Sequence, residues 1–321
     1  MKYPCLKLGF VFFLLFMPNQ GLFAWGFYAH QQINRLAVFC LPTELFGFYK
    51  KNIDYISEHA VDPDKRRYLV AGEGVKHFID MDYYEKVLPF DTLPRAYHLA
   101  CEKFSKDTLH TYGIVSWNIQ WMLRNLTEAF AQHNTSQILK YSAEIGHYIA
   151  DSHVPLHATS NYNGQQTNQH GIHAFFETRL PELFAPKYDF FVGPASYISS
   201  PLEASWLAVE GSFACLDSVF GFEKKLHQHF PEHKKYTYEV KGNALLKMYS
   251  PELAWAYHQQ LNGMVERRMQ AAIRAVSSFW YTAWVNAGQP NMDNLNLIPT
   301  DTINLEAFPV ALPEKMLGRQ E

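Results

Sequence analysis

Between residues 116 and 151 apolar side chains return every third or fourth position, and that rhythm decides the fold class. Over 116–132 the series is Ile119, Met122, Leu123, Leu126 and Phe130; over 137–151 it is Ile138, Leu139, Ile145 and Ile149. That spacing puts one apolar residue per turn on one face of a helix, whereas a strand would need strict alternation. It predicts two consecutive helices, the second capped by Ser136 and ending ahead of Pro155. Similar patterns predict a short helix over 174–180 stopped by Pro181, another over 201–220, and a long mixed one over 251–287. Glu266, Arg267, Arg268 and Arg274 of the last are expected to face water. Strand-like alternation is brief and best at 236–240, and no repeat recurs along the chain. The expected fold is all-α, a single helical domain with long loops. Hydrophobic residues make up 48% of the chain and charged ones 18%, which supports one sizeable core and excludes a disordered protein. Lys and Arg number 28 against 31 Asp and Glu, so no broad basic footprint advertises nucleic acid.

The first segment reads as an address. Lys2 and Lys7 accompany an apolar run over 8–17, too short to span a bilayer, and Gly21-Leu-Phe-Ala24 offers a small residue before a cut. Residues 1–24 are expected to be a secretory signal, with the mature chain starting at Trp25 in a secreted or periplasmic setting. Removing two lysines and no acid changes the net charge from −3 to −5. The helical domain is expected over 25–287. Residues 288–321 lose periodicity and read as a tail wrapped on the surface or partly loose. Cys5 leaves with the signal; Cys40, Cys101 and Cys215 allow at most one disulfide and are expected to be buried and structural. Asn125-Leu-Thr127 and Asn134-Thr-Ser136 are glycosylation patterns, meaningful in a host that glycosylates secreted chains.

Four clusters carry chemistry. His147 and Asp151 are four apart on a predicted helix, so both side chains share one face, and His157 follows on chain redirected by Pro155. An imidazole and a carboxylate so placed can hold a metal ion, or the carboxylate can bridge two; without an ion they are an exposed pair. His173 and Glu177 repeat the spacing. Asp62-Pro-Asp64 precedes His77, and the mature terminus would run Trp25-Gly-Phe-Tyr-Ala-His30. Nitrogen and carboxylate donors without thiolates suit zinc, with manganese as the alternative, and exceed what one tetrahedral ion needs.

The set resembles the zinc-dependent phospholipase C and S1/P1 nuclease superfamily. Trp25 followed by His30, Asp62 fifteen residues before His77, His147-x3-Asp151-x5-His157 with its proline, and the pair His173 and Glu177 stand in the family's order from Trp25 to about Ala287. The resemblance implies a nearly all-helical secreted enzyme with three zinc ions. Asp62, His77, His147 and Asp151 would hold the first. The free amine and carbonyl of Trp25, His30 and the other oxygen of Asp151 would hold its close partner. His157, His173 and Glu177 would hold the third. Asp62 would orient or deprotonate the water that attacks phosphorus; Asp64 is the alternative, and only the spacing to His77 favours Asp62.

The implied activity is phosphodiester hydrolysis by a zinc-held hydroxide. Glu177 resembles the phospholipase branch, whereas His153, two after Asp151, resembles the nuclease branch. The loop over 161–170 matches neither. The expectation is therefore phospholipase C-like, with a single-strand nuclease or 3′-nucleotidase as the alternative and a non-catalytic zinc-binding protein as the second. The substrate would be a phospholipid headgroup or single-stranded nucleic acid; no stable protein partner is implied, and a monomer is expected. His153 is expected to support a ligand or the structure rather than bind metal. His59, His98, His110, His133, His227, His229, His233 and His258 have no place in the ligand set.

Overall fold

The computed structural model describes residues 26–241, 244–293 and 295. The expected signal, Trp25 and all but a few residues of the expected tail lie outside these. The chain is mostly helical. Seven helices come first: α1 (Phe27–Ala37), α2 (Thr43–Lys51), α3 (Ile53–Glu58), α4 (Asp62–Arg66), α5 (Met81–Tyr84), α6 (Tyr97–Phe104) and α7 (Lys106–Thr111). The long pair α8 (Val115–Ala131) and α9 (Thr135–Ser152) follows, then a 3-10 turn at Pro155–Ala158. α10 (Ile172–Ala174) runs through a widened π turn at Phe175–Arg179 into α11 (Leu180–Phe184). After α12 (Pro201–Phe213) and α13 (Leu216–His229) comes an antiparallel hairpin, β1 (Tyr236–Lys241) with β2 (Ala244–Tyr249), and then α14 (Pro251–Gln260) and α15 (Met264–Asn286).

The core is built on the α8–α9 hairpin. The apolar series that predicts these helices is buried throughout; α15 packs across both and α1 against α9. Polar pins fix the register: Trp280 Nε1 of α15 donates to the Ser142 carbonyl at 3.0 Å, and the Asn34 amide of α1 donates to the Ala143 carbonyl at 3.0 Å. Asn34 also explains Gly146. A Cβ at Gly146 would stand 2.1 Å from Asn34 Oδ1, so α1 reaches α9 only because residue 146 has no side chain. Gly113 plays a similar part between α7 and α8. Its φ is +89°, and a Cβ there would meet the Phe78 carbonyl at 2.1 Å. That close approach lets Val115 N donate to Phe78 O and Ile114 N to Val75 O, which clamps the loop that carries His77.

Several boundaries differ from the sequence expectations. Asn134, not Ser136, caps α9: its Oδ1 accepts from Gln137 N at 3.2 Å and from the Ser136 hydroxyl at 3.0 Å. Pro181 does not stop its helix, because it falls in the first turn after the π segment, where a missing N–H is tolerated. The stretch 201–220 breaks at residues 214–215 into α12 and α13. The stretch 251–287 breaks at Asn262 and Gly263, both with positive φ, which separates α14 from α15. Arg268, expected in water, turns inward. Its Nε donates to the His153 carbonyl at 2.8 Å and its Nη2 to the Ala208 carbonyl and the Ser212 hydroxyl. Cys40, Cys101 and Cys215 are free thiols and only half-buried. Past α15 the chain returns to the core, where Met292 is buried and Trp284 Nε1 donates to Pro290 O. Among the described residues no helix is long and apolar enough to cross a membrane.

Candidate metal centre

The polar cluster lies where α1, α4, α9, the His77 loop and the α10 helix converge. His30, Asp64, His77, His147, Asp151, His157, His173 and Glu177 are all buried there. Burying so many ionisable groups together costs free energy unless something pairs them.

On α9 the i, i+4 pair does what its spacing promises. His147 Nε2 lies 3.2 Å from Asp151 Oδ2. His77 Nδ1 approaches the same oxygen at 2.9 Å and His147 Nε2 at 3.0 Å. Asp64 Oδ1 completes the group at 3.6 Å from each imidazole. Ligand atoms about 2.0–2.1 Å from a tetrahedral ion stand about 3.3 Å apart, so these separations fit one ion at their centre. The second carboxylate oxygen of Asp151 faces another way, 3.4 Å from His30 Nε2. The His30 ring stacks on His147 with centroids 3.9 Å apart. The third group is His157, His173 and Glu177, with Glu177 Oε2 3.5 Å from His157 Nε2 and 3.0 Å from His173 Nε2. Thus three groups of ligand type converge: His30 with His147 and Asp151; Asp64 with His77 and His147; and His157 with His173 and Glu177.

Ring orientation is the strongest sign that these groups can bind metal ions. His147 Nδ1 donates to the Ala60 carbonyl at 2.8 Å, His157 Nδ1 to the His77 carbonyl at 2.6 Å, and His173 Nδ1 to the Tyr162 carbonyl at 3.2 Å. Each bond spends the ring proton on one nitrogen and turns the lone pair of the other toward a carboxylate. A lone pair facing a carboxylate oxygen is repulsive unless a cation lies between them. Neither ring nitrogen of His30, neither oxygen of Asp64 and neither oxygen of Glu177 makes a hydrogen bond, although all are buried.

The protonation preferences express the same crowding. Burial, and then His147, push His30 down to about 4; burial likewise pushes His77 down to about 3. Burial pushes Asp64 up to about 7, with Asp151 and Glu177 adding to the rise. Burial also opposes charge on Asp151, but the imidazoles of His147 and His157 hold its carboxyl well below the ordinary range. Burial opposes charge on His147, yet Asp151 and Asp64 hold its pKa above the usual value.

Most of the sequence-predicted residues meet here, and one does not. Asp62 caps no ion. Its Oδ2 lies 2.5 Å from His59 Nδ1 and its Oδ1 2.8 Å from Lys65 Nζ, and it keeps contact with solvent. Asp64 takes the place expected for Asp62, because in the first turn of α4 a step of two residues rotates the side chain from the surface to the interior. Trp25 lies outside the described residues. Its neighbour Gly26 is buried against Thr178, the residue after Glu177, where a Cβ would stand 2.7 Å from the threonine methyl. His153 belongs to none of the three groups; its Nδ1 donates to the Ile149 carbonyl, and its backbone receives Arg268.

Sequence reasoning missed the charged shell around His77. Arg66 donates to Glu144 at 2.6 Å and to Glu73 and Tyr148 at 3.1 Å, while Lys76 holds the other oxygen of Glu73. Burial opposes charge on Glu73, but Arg66 and Lys76 pull it down to about 2. Arg67 is buried close enough to Asp64 and His77 to act on both electrostatically. The run Lys65-Arg66-Arg67 carried the only sequence signal. Neither a protein-family model nor a curated protein matches this chain.

Proposed function

We propose that the cluster holds three zinc ions, one among Asp64, His77, His147 and Asp151, one at His30 and the other oxygen of Asp151, and one among His157, His173 and Glu177, and that the protein is a secreted phosphodiester hydrolase of phospholipase C type. The observation that carries this reading is the set of imidazoles fixed by backbone carbonyls with their lone pairs aimed at shared carboxylates. Nitrogen and oxygen donors at nearly tetrahedral separations favour zinc. Bound there, the ions would supply positive charge to clamp phosphoryl oxygens and to ease ionisation of water. The chain's own residues do the rest. Asp151 presents one oxygen to each of two neighbouring groups and so fixes their spacing. Asp64 replaces Asp62 as the carboxylate assigned to orient the attacking water and accept its proton. Arg67, buried close enough to Asp64 and His77 to act on both electrostatically, would offset negative charge on that carboxylate. His157, His173 and Glu177 form a separate ligand group, whose ion would stabilise a leaving oxygen. Glu177, the larger of the two acids the resemblance allows, favours the phospholipase branch.

A second reading, a single-strand nuclease or 3′-nucleotidase, has one observation in its favour. A cavity of about 340 Å³ is lined by Tyr236, Tyr249, Gln169, His170 and Glu223, and His170 lies three residues before His173. Aromatic walls with amide and carboxylate groups suit a stacked base. Hydrolysis of bis(4-nitrophenyl) phosphate, lost on chelation and restored by zinc, tests the enzyme against a non-catalytic zinc-binding protein. Turnover of a phosphatidylcholine emulsion against single-stranded DNA separates the two enzymes: faster lipid turnover supports this reading, and faster DNA turnover overturns it.

A further inference from the structure

The outer half of the hairpin is left unexplained by the metal centre. In the β1–β2 register Val240 stands opposite Leu245, Tyr238 opposite Lys247, and Glu239 opposite Leu246. Tyr238, Val240, Leu245 and Leu246 are 65%, 73%, 65% and 37% exposed. A two-stranded ribbon gains stability by burying one face, yet here apolar side chains stand in water on both.

Charge collects around them. Between residues 224 and 249 there are six lysines and two acids, in a chain whose net charge is −3. Both acids are engaged, Glu232 with Lys235 and Glu239 with Arg179. Lys224, Lys225, Lys234 and Lys247 are exposed.

The hairpin is fastened from its base up to Glu239 to the segment that carries Glu177. Arg179 donates from Nε to the Tyr249 carbonyl at 3.1 Å and holds both oxygens of Glu239. The Tyr249 ring stacks on Phe175 with centroids 3.9 Å apart. Phe175 and Arg179 flank Glu177 on the segment that also bears His173. From that base the strand extends about 13 Å to Val240.

We propose that the outer hairpin docks the protein on an anionic lipid bilayer. Tyr238, Val240, Leu245 and Leu246 enter the boundary between headgroups and acyl chains, and the surrounding lysines face anionic headgroups. A nucleic-acid strand would use the lysines and the Tyr238 ring, but three aliphatic side chains offer no face for a base to stack on and would stay in water. The inference deepens the phospholipase reading: a hairpin riveted to the Glu177 segment would bring the metal cleft to the headgroup layer. Binding is read separately from turnover, so either can fail alone.

The test uses mature protein and a Val240→Asp/Leu245→Asp variant. Each is sedimented with vesicles of phosphatidylcholine alone and of phosphatidylcholine with phosphatidylserine. The expected result is binding to the anionic vesicles that weakens with salt and falls at least about tenfold in the double variant. Hydrolysis of soluble bis(4-nitrophenyl) phosphate and the helical circular dichroism should be the same in both. A Lys234→Gln/Lys247→Gln variant should lose the preference for anionic vesicles while keeping its fold. The proposal is overturned if the parent stays in solution with both vesicles, or if the double variant binds as the parent does. It is equally overturned if the substitutions abolish oligothymidylate binding or concentration-dependent self-association instead of vesicle binding. Vesicle binding through the hairpin by a protein that hydrolyses no diester would uphold the docking surface and sink the hydrolase reading.

Discussion

The group around Asp151 and the group around Glu177 use the same side-chain chemistry but are assembled in opposite ways. Asp64, His77 and His147 come from a short helix, a loop and a long helix, and His30 is brought in by α1. Their meeting depends on tertiary contacts: Asn34 pressed against Gly146, and the His77 loop clamped by the backbone after Gly113. His173 and Glu177 instead share one widened helical turn, and only His157 is brought to them from outside. One centre therefore reports on the packing of the domain, whereas the other is largely a property of one segment. The two also share a wall, since His157 donates to the carbonyl of His77.

The largest effect that separates them should come from the shared carboxylate. Asp151→Asn leaves His30, His77 and His147 facing an amide, so two of three metal equivalents and at least about a hundredfold of diester turnover should be lost. Glu177→Gln should remove one equivalent and cost less. Metal analysis of the two variants side by side checks this, and equal losses would erase the distinction.

Packing gives the next largest contrast. Gly146→Ala must displace Asn34, which holds α1 on α9, and overpacking of this kind costs about 1–3 kcal/mol. Denaturant melting should show that loss, together with weakened metal at the His30 and Asp151 positions, while the His157–His173–Glu177 group keeps its ion.

A smaller and more local contrast lies within α4. Asp64→Asn should abolish most turnover, because both oxygens of Asp64 sit in the cluster. Asp62→Asn removes only the contacts to His59 and Lys65, so turnover should stay within about twofold and stability within about 1 kcal/mol. The reverse ranking would return Asp62 to the ligand set.

The smallest predicted effect is on pH dependence after chelation. Below the ordinary imidazole value the unfolded chain takes up protons that folded His30 and His77 refuse, their values lying at about 4 and about 3. Stability therefore falls as pH drops from about 6.5 toward those values, by up to about 1.4 kcal/mol per pH unit for each histidine. Asp64, raised to about 7, works the other way: its folded carboxyl keeps a proton that the unfolded one releases, which gives back part of the loss. Thermal melts of chelated protein across this range should show the decline, and His30→Gln should flatten it. A melt that is level with pH, or unchanged by the substitution, would contradict these protonation states.

Helical rhythm made α8, α9 and the inward faces of both legible from the sequence, because local spacing alone sets them. The pairs His147/Asp151 and His173/Glu177 were legible for the same reason. Asp64 was not separated from Asp62, since two residues at the start of a five-residue helix differ only by how that turn rolls against the core. Glu73 and Glu144 gave no warning that they meet Arg66, because ordinary surface charges have the same spelling. Asn262-Gly263 was a readable break that the apolar pattern on either side concealed. Arg268 reads as a surface charge from its neighbours, and only the bundle reveals carbonyls waiting for it.

The central claim is that the buried imidazoles and carboxylates surround three ions. Crystals of the mature protein, measured on either side of the zinc absorption edge, test it directly. The account predicts three anomalous peaks: one among Asp64, His77, His147 and Asp151, one beside His30 and the other oxygen of Asp151, and one among His157, His173 and Glu177. Active protein with one peak or none, or with peaks away from these side chains, would contradict it.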